Sequence, residues 1–266
     1  MTVIILACLS VGLLAGFLAG LLGVGGGLVI VPALLAVFKL VGVLPAHQQH
    51  LALGTSLATI VFTGIASVRA HHAKGAVRWD VVRRITPGIL LGTFAGAQIA
   101  GFISTRALQW IFVAFAYFVA AQMLLNWQTK PSRQLPGQAG LLSMGGLIGV
   151  LSSWVGIGGG SLSVPFMNAC NVPVKTAIAT SSAIGVPIAV AGAIGYIVSG
   201  WGIAGLPSYS LGFIYIPALI GIVLASFPMA KLGAAAAHRL PVPVLKKIFA
   251  ALLIILASKM LWGLLP

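Results

Sequence analysis

The sequence predicts an all-α integral membrane protein of two inverted repeats, each a glycine-broken re-entrant hairpin followed by three transmembrane helices. Three observations carry this prediction. The 266 residues are 60% hydrophobic and 6% charged, against roughly 45–50% and about 25% in average soluble chains. A triple-glycine run inside an overlong apolar segment recurs half a chain later. The cations gather on one side of a membrane only if those overlong segments turn back.

Composition first narrows the chemistry. Fifteen Lys and Arg stand against one acidic residue, Asp80. A single carboxylate cannot furnish a carboxylate metal cage, a paired-acid hydrolase site or a carboxylate proton relay. The apolar content excludes disorder. Basic residues beside apolar runs set topology, so no nucleic-acid partner is expected. Cys8 and Cys170 lie in apolar stretches without CxxC spacing and read as buried, inert thiols. No basic n-region or small-residue cleavage site accompanies the first apolar stretch, which is therefore expected to stay in the mature chain. No His–Cys spacing suggests a metal, and no cofactor is called for.

The elements follow in chain order. Repeat 1, residues 1–127, opens with a hairpin at 3–40 and continues with spans at 51–70, 81–103 and 106–126. A polar linker, 128–137, is expected on the cytoplasmic side. Repeat 2, residues 138–266, opens with a hairpin at 138–170 and continues with spans at 176–199, 211–234 and 245–264. One crossing needs about 20 residues, so six segments fit one helix each. The two hairpin segments are too long for one helix and too short for two full ones. Gly23-Val24-Gly25-Gly26-Gly27 with Val31-Pro32 breaks the first; Gly156-Ile157-Gly158-Gly159-Gly160 with Val164-Pro165 breaks the second, 133 residues on. Ala52, Thr55 and Ser56 recur as Ala177, Thr180 and Ser181, Pro87 as Pro217, and Ile111-Phe112 as Ile248-Phe249. That is an internal duplication.

Charge decides how the hairpins run. If all eight segments cross, the fifteen cations divide seven against eight, which the positive-inside rule disfavours. If 3–40 and 138–170 enter and leave on one side, only Lys39, Arg106 and Lys259 lie outside and the other twelve lie inside. Each repeat then crosses an odd number of times, which inverts the second copy. The second arm of hairpin one, 28–40, reaches about 20 Å against a ~30 Å hydrocarbon core. That favours a re-entrant hairpin, although a nearly spanning one fits the same count.

The glycine tips are the candidate site. Glycine reaches positive φ and leaves backbone amides unshielded. A break that opens a new helix presents those amides with the positive end of the helix dipole, an anion site without a charged side chain. The expected substrate-binding residues are Gly25, Gly26, Gly27, Gly158, Gly159, Gly160, Ser161, Thr55, Ser56, Thr180 and Ser181. Gly23, Pro32, Gly156 and Pro165 are expected to shape the hairpins. Glycines that only permit close helix packing are the plainer alternative. His47 and His50 read as surface-loop histidines, and Asp80 as the partner of Arg78, Arg83 or Arg84. Gln98, Gln122 and Asn126 are expected between helices, and Trp154 against the second tip.

The doubled Gly-x-x-Gly-x-Gly-Gly-Gly-x-x-x-Val-Pro motif with its following Ala-x-x-Thr-Ser resembles the sulfite exporter TauE/SafE family of transporters. The first copy runs from Gly20 to Pro32. The second begins with Ser153 in place of Gly20 and keeps Gly156, Gly158, Gly159, Gly160 and Pro165. The resemblance spans essentially the whole chain. It implies a multi-pass carrier of the bacterial inner (plasma) membrane for a small anion: sulfite, a sulfonate such as sulfoacetate, or a related carboxylate. With the inverted repeats, it gives the expected function, alternating-access transport of a small oxyanion held at the two tips. Its partners would be the anion, membrane lipid and protons as the candidate coupling ion. The chain is not expected to be an enzyme: it has no Gly-x-Ser-x-Gly elbow, no Asp pair and no His-Glu-x-x-His helix. An anion channel of the same fold and a non-transporting membrane assembly subunit are the competing readings.

Overall fold

A computed structural model describes residues 2–22, 26–125, 134–237 and 242–265. Their backbone is almost wholly helical. The described helices are α1 (Thr2–Leu22), α2 (Gly27–Val41), α3 (Gln48–His72), α4 (Trp79–Phe102), α5 (Thr105–Leu124), α6 (Gln138–Val155), α7 (Gly160–Ala169), α8 (Val174–Ser199), α9 (Ile216–Ala237) and α10 (Val242–Trp262). A 3-10 turn, Pro45–His47, leads into α3, and a two-stranded hairpin, Ser210–Leu211 with Ile214–Tyr215, precedes α9. Pro45–His72, Trp79–Phe102, Thr105–Leu124, Gln138–Val155 and Val174–Ser199 are long and apolar enough to cross a membrane. Large apolar side chains such as Leu91, Leu224 and Ile255 face outward from α4, α9 and α10, as lipid-facing positions require.

Both overlong segments divide at their glycines. α1 and α2 flank the first break, and α6 and α7 the second. Gly26 at φ 73° caps the start of α2, and Gly159 at φ 75° caps the start of α7. Both sit in the left-handed region, where any side chain is strained. The second arms are short. At 1.5 Å per residue, the 15 residues of α2 reach about 22 Å and the 10 of α7 about 15 Å. Pro32 and Pro165 are each the sixth residue of their helix, in the second turn rather than the first.

Small residues let the helices close on one another. α1 lies along α9 because Gly12 and Gly16 rest on the backbone at Ile222 and Ser226, where a Cβ would not fit. α4 lies along α6 in the same way: Gly88 meets Leu142, Gly92 meets Gly146, and Gly149 meets Thr93. Without water to drive association, such close backbone approach is what holds helices together in lipid. The residue order at these contacts makes both pairs parallel. α4 also runs parallel to α8: the Arg78 amide donates to Thr180 Oγ1 (3.0 Å) near their starts, and Gln98 Nε2 donates to the Gly195 carbonyl (2.8 Å) near their ends. α3 packs on α8, and α5 on α10.

Candidate functional site

The two glycine breaks bracket a central contact. A Cβ on Gly27, the first residue of α2, would run into the Gly156 carbonyl and lie 3.1 Å from Ile157 Cα. The start of one second arm therefore touches the turn of the other hairpin, backbone to backbone. Gly156 is itself at φ 72° and lies against Val31 and Leu53. Gly158 abuts Ile60 and Gly185, and Gly159 abuts Ile188. Ile60 and Gly185 are near the middle of α3 and α8, the long helices of 25 and 26 residues. From the start of α8 to Gly185 is about 17 Å, close to the ~15 Å reach of α7. Of the expected tip residues, Gly26, Gly27, Gly156, Gly158, Gly159 and Gly160 are gathered here; Gly23 and Gly25 lie outside the described residues.

The Thr-Ser pairs are buried as the repeat suggests, and their hydroxyls are engaged with backbone. Thr55, Ser56, Thr180 and Ser181 have at most 2% exposure. Ser56 Oγ donates to the Gly156 carbonyl at 2.8 Å, across 100 residues of sequence. Ser163 Oγ donates to the Gly159 carbonyl at 2.8 Å and lies 2.8 Å from Ser181 Oγ, so the Ser181 proton goes to Ser163. Thr55 Oγ1 accepts from the Tyr215 amide at 3.0 Å, and Thr180 Oγ1 from the Arg78 amide at 3.0 Å. Tyr215 immediately precedes α9 and Arg78 immediately precedes α4. Each threonine therefore ties down the entry to a helix of the other half of the chain. The serines fix the second tip, and the threonines fix those helix starts.

Several single-residue expectations are refined. His50 is not a surface histidine. It is 4% exposed, its Nε2 lies 2.9 and 3.1 Å from the Ala100 and Ile103 carbonyls, and its ring stacks on Phe213 at 4.9 Å. The sequence signal for this was slight: Gln48-Gln49-His50, three polar residues together at the head of an apolar helix. His50 lines an open cleft of about 820 Å³ with His47, Lys39 and Arg106. Asp80 pairs with Arg78 (Nη2–Oδ2 2.5 Å), both side chains near half exposed. Gln98 does bridge helices, while Asn126 lies outside the described residues. Trp154 donates from Nε1 to the Gly96 carbonyl at 3.0 Å, linking α6 to α4. Cys8 and Cys170 are both buried, as their apolar surroundings in the sequence suggest.

Thr93 and Ser152 were missed altogether. Both are fully buried, Ser152 on α6 against Gly159 of the second break and Thr93 on α4 against Gly149, one turn earlier. Neither belongs to a recognisable motif, and only the helix pairing brings them together.

Comparison with known proteins gives a family-level match: residues 8–260 fit the model for sulfite exporter TauE/SafE. A probable membrane transporter protein of Haemophilus influenzae is 44% identical over 261 residues, covering 96% of this chain and 97% of its own. The probable membrane transporter protein YunE of Bacillus subtilis is 26% identical over 94% of this chain and 95% of its own. A probable membrane transporter protein of Methanocaldococcus jannaschii is 28% identical over 84% of this chain and 82% of its own.

Proposed function

Because the chain belongs to the sulfite exporter TauE/SafE family and is a membrane transporter, we propose that it carries a small oxyanion by alternating access. The cargo class is sulfite, a sulfonate such as sulfoacetate, or a related carboxylate, moved across the plasma membrane of a bacterium. The single observation that carries this reading is the meeting of the two breaks, Gly27 upon Gly156 and Ile157, with Gly158 beside Ile60 and Gly185 near the middle of the long helices. Two short helices begin there, each behind a left-handed glycine, and no described carboxylate is near. The backbone amides of Gly26, Gly27 and Gly158 to Gly160 would then face an anion with the positive ends of α2 and α7. Ser161 on the first turn of α7 adds a hydroxyl.

The inverted-repeat reading draws support from the helix pairing. Exchanging each helix for its counterpart five positions along turns α1–α9 into α6–α4 and returns α3–α8 and α5–α10 to themselves. Gly12 and Gly16 become Gly145 and Gly149, again at 133 residues, and all four sit in the close contacts. Parallel α4 and α8 agree with hairpins that enter and leave on one side; eight successive crossings would make them antiparallel. Carriers built this way rock one repeat against the other around a midplane site. The Thr55 and Thr180 ties, one to each opposing helix start, are suited to hold the two ends of such a cycle. A coupling proton would ride on the anion or on a histidine, since the interior offers no carboxylate.

Counterflow tests the reading. Proteoliposomes preloaded with unlabelled sulfite or sulfoacetate should take up labelled anion transiently above equilibrium. Uptake without that overshoot would point to a channel, and no uptake of any anion in the class would remove the transport assignment.

A further inference from the structure

Among the described residues, two hydroxyls in the tightest part of the molecule have no partner. Thr93 on α4 and Ser152 on α6 are both 0% exposed, and neither hydroxyl oxygen makes a hydrogen bond. Ser161 Oγ, two residues past Gly159, is likewise buried and unpaired. Leaving a buried hydroxyl unpaired is costly, and such groups call for an explanation. Their place supplies one. Ser152 Oγ lies 3.6 Å from where a Cβ on Gly159 would stand. Thr93 Oγ1 lies against Gly149, one turn earlier on α6, and the Thr93 methyl reaches Gly192 on α8. Ser152 thus touches the second break from α6, and Thr93 stands about one turn away from it, on α4.

The sequence around the first break offers no equivalent hydroxyls. At the 133-residue shift, Ser152, Ser161 and Ser163 correspond to Ala19, Leu28 and Ile30. At the 130-residue shift that relates Pro87 to Pro217, Thr93 corresponds to Val223. The paired hydroxyls lean the same way, since Ser56 reaches Gly156 and Ser181 reaches Gly159 through Ser163. The backbone is near-symmetric but its polar chemistry is not.

We infer that the oxyanion binds off the symmetry axis, on the second glycine break, with the Thr93 and Ser152 hydroxyls as hydrogen-bond donors beside the start of α7. This rests on the transport reading above and deepens it. α7 directs its positive end to the same place, and a stripped oxyanion supplies the acceptors these hydroxyls lack. One hydrogen bond to a charged ligand is worth roughly tenfold or more in affinity.

The test uses the full chain in nanodiscs and proteoliposomes, with sulfite and sulfoacetate as probes. Variants are Thr93→Val, Ser152→Ala and the double substitution. Ser226→Ala is the control, at a site whose hydroxyl already bonds the Val223 carbonyl. Half-saturation for uptake should rise about tenfold in each single variant, and the anion-dependent gain in melting temperature should shrink with it. Anion-free stability should hold or rise, because an unpaired hydroxyl has been removed; the control should match wild type. Unchanged half-saturation and unchanged anion stabilisation in the variants, with wild type transporting normally, would overturn the assignment and leave the hydroxyls as water-filled or merely structural. Wild-type protein that neither moves nor is stabilised by either anion would overturn the transport reading, and this assignment with it.

Discussion

Replacing Gly27 with alanine sets a methyl group against the Gly156 carbonyl and within 3.1 Å of Ile157 Cα. Both are backbone atoms of a tight turn, so neither can swing aside as the end of a side chain would. The start of α2 must therefore retreat from the second hairpin and give up the contact that joins the two breaks. Overpacking of this kind costs about 3 kcal/mol, which at 2–4 °C per kcal/mol for a chain of this size lowers the melting temperature by roughly 6–12 °C. Gly158 offers a matched comparison. Its φ is not positive, and a Cβ there would meet only Ile60 Cγ2 at 3.2 Å and Gly185 Cα at 3.9 Å. The isoleucine methyl can give by a few tenths of an ångström, so Gly158→Ala should change stability by less than about 1 kcal/mol. Fluorescence-detected thermal unfolding in detergent separates the two, and anion uptake should fall far more in Gly27→Ala than its stability loss predicts at the assay temperature. Equal melting temperatures and equal uptake in both variants would refute the contact between the breaks.

Four other expectations follow from the same contacts. Ser56→Ala removes the bond to Gly156 and strands a buried carbonyl; a stability loss of about 1–3 kcal/mol is expected by thermal unfolding. Thr55→Val strands the Tyr215 amide and Thr180→Val the Arg78 amide; each should cost a similar amount and raise cysteine accessibility at its own end of the molecule, not at the other. Asp80→Asn breaks an exposed pair, so stability should move by less than about 1 kcal/mol and uptake should stay at the wild-type rate. Impermeant thiol reagents on intact cells should label Ser208→Cys from outside and reach Ala73→Cys only after lysis; the reverse pattern would overturn the charge-based orientation.

Much of this arrangement was legible in the sequence because lipid leaves few choices. A backbone crossing hydrocarbon must pair internally, so apolar length alone locates α3, α4, α5 and α8 within a few residues of the expected spans. The glycine runs announced both breaks, and recurrence of Thr55-Ser56 as Thr180-Ser181 announced buried hydroxyls at matching positions. What stayed hidden depends on partners distant in sequence. Nothing local marks Thr55 as the acceptor for Tyr215, 160 residues away. The short strands at Ser210–Leu211 and Ile214–Tyr215, with Tyr209 at φ 67° and Gly212 at φ 54°, straddle the start of what reads as one apolar span, 211–234. Gly12, Gly16, Gly145 and Gly149 looked like composition until α1 met α9 and α6 met α4. Thr93 and Ser152 looked like ordinary helix interior for the same reason.

Counterflow in proteoliposomes bears most directly on the claim that this chain is a small-oxyanion carrier. Vesicles loaded with unlabelled sulfite or sulfoacetate and diluted into labelled anion should show uptake that overshoots equilibrium and then decays. That overshoot should weaken in Thr93→Val and Ser152→Ala and vanish in Gly27→Ala. Monotonic uptake insensitive to preloading, or none for any anion of the class, would contradict the account.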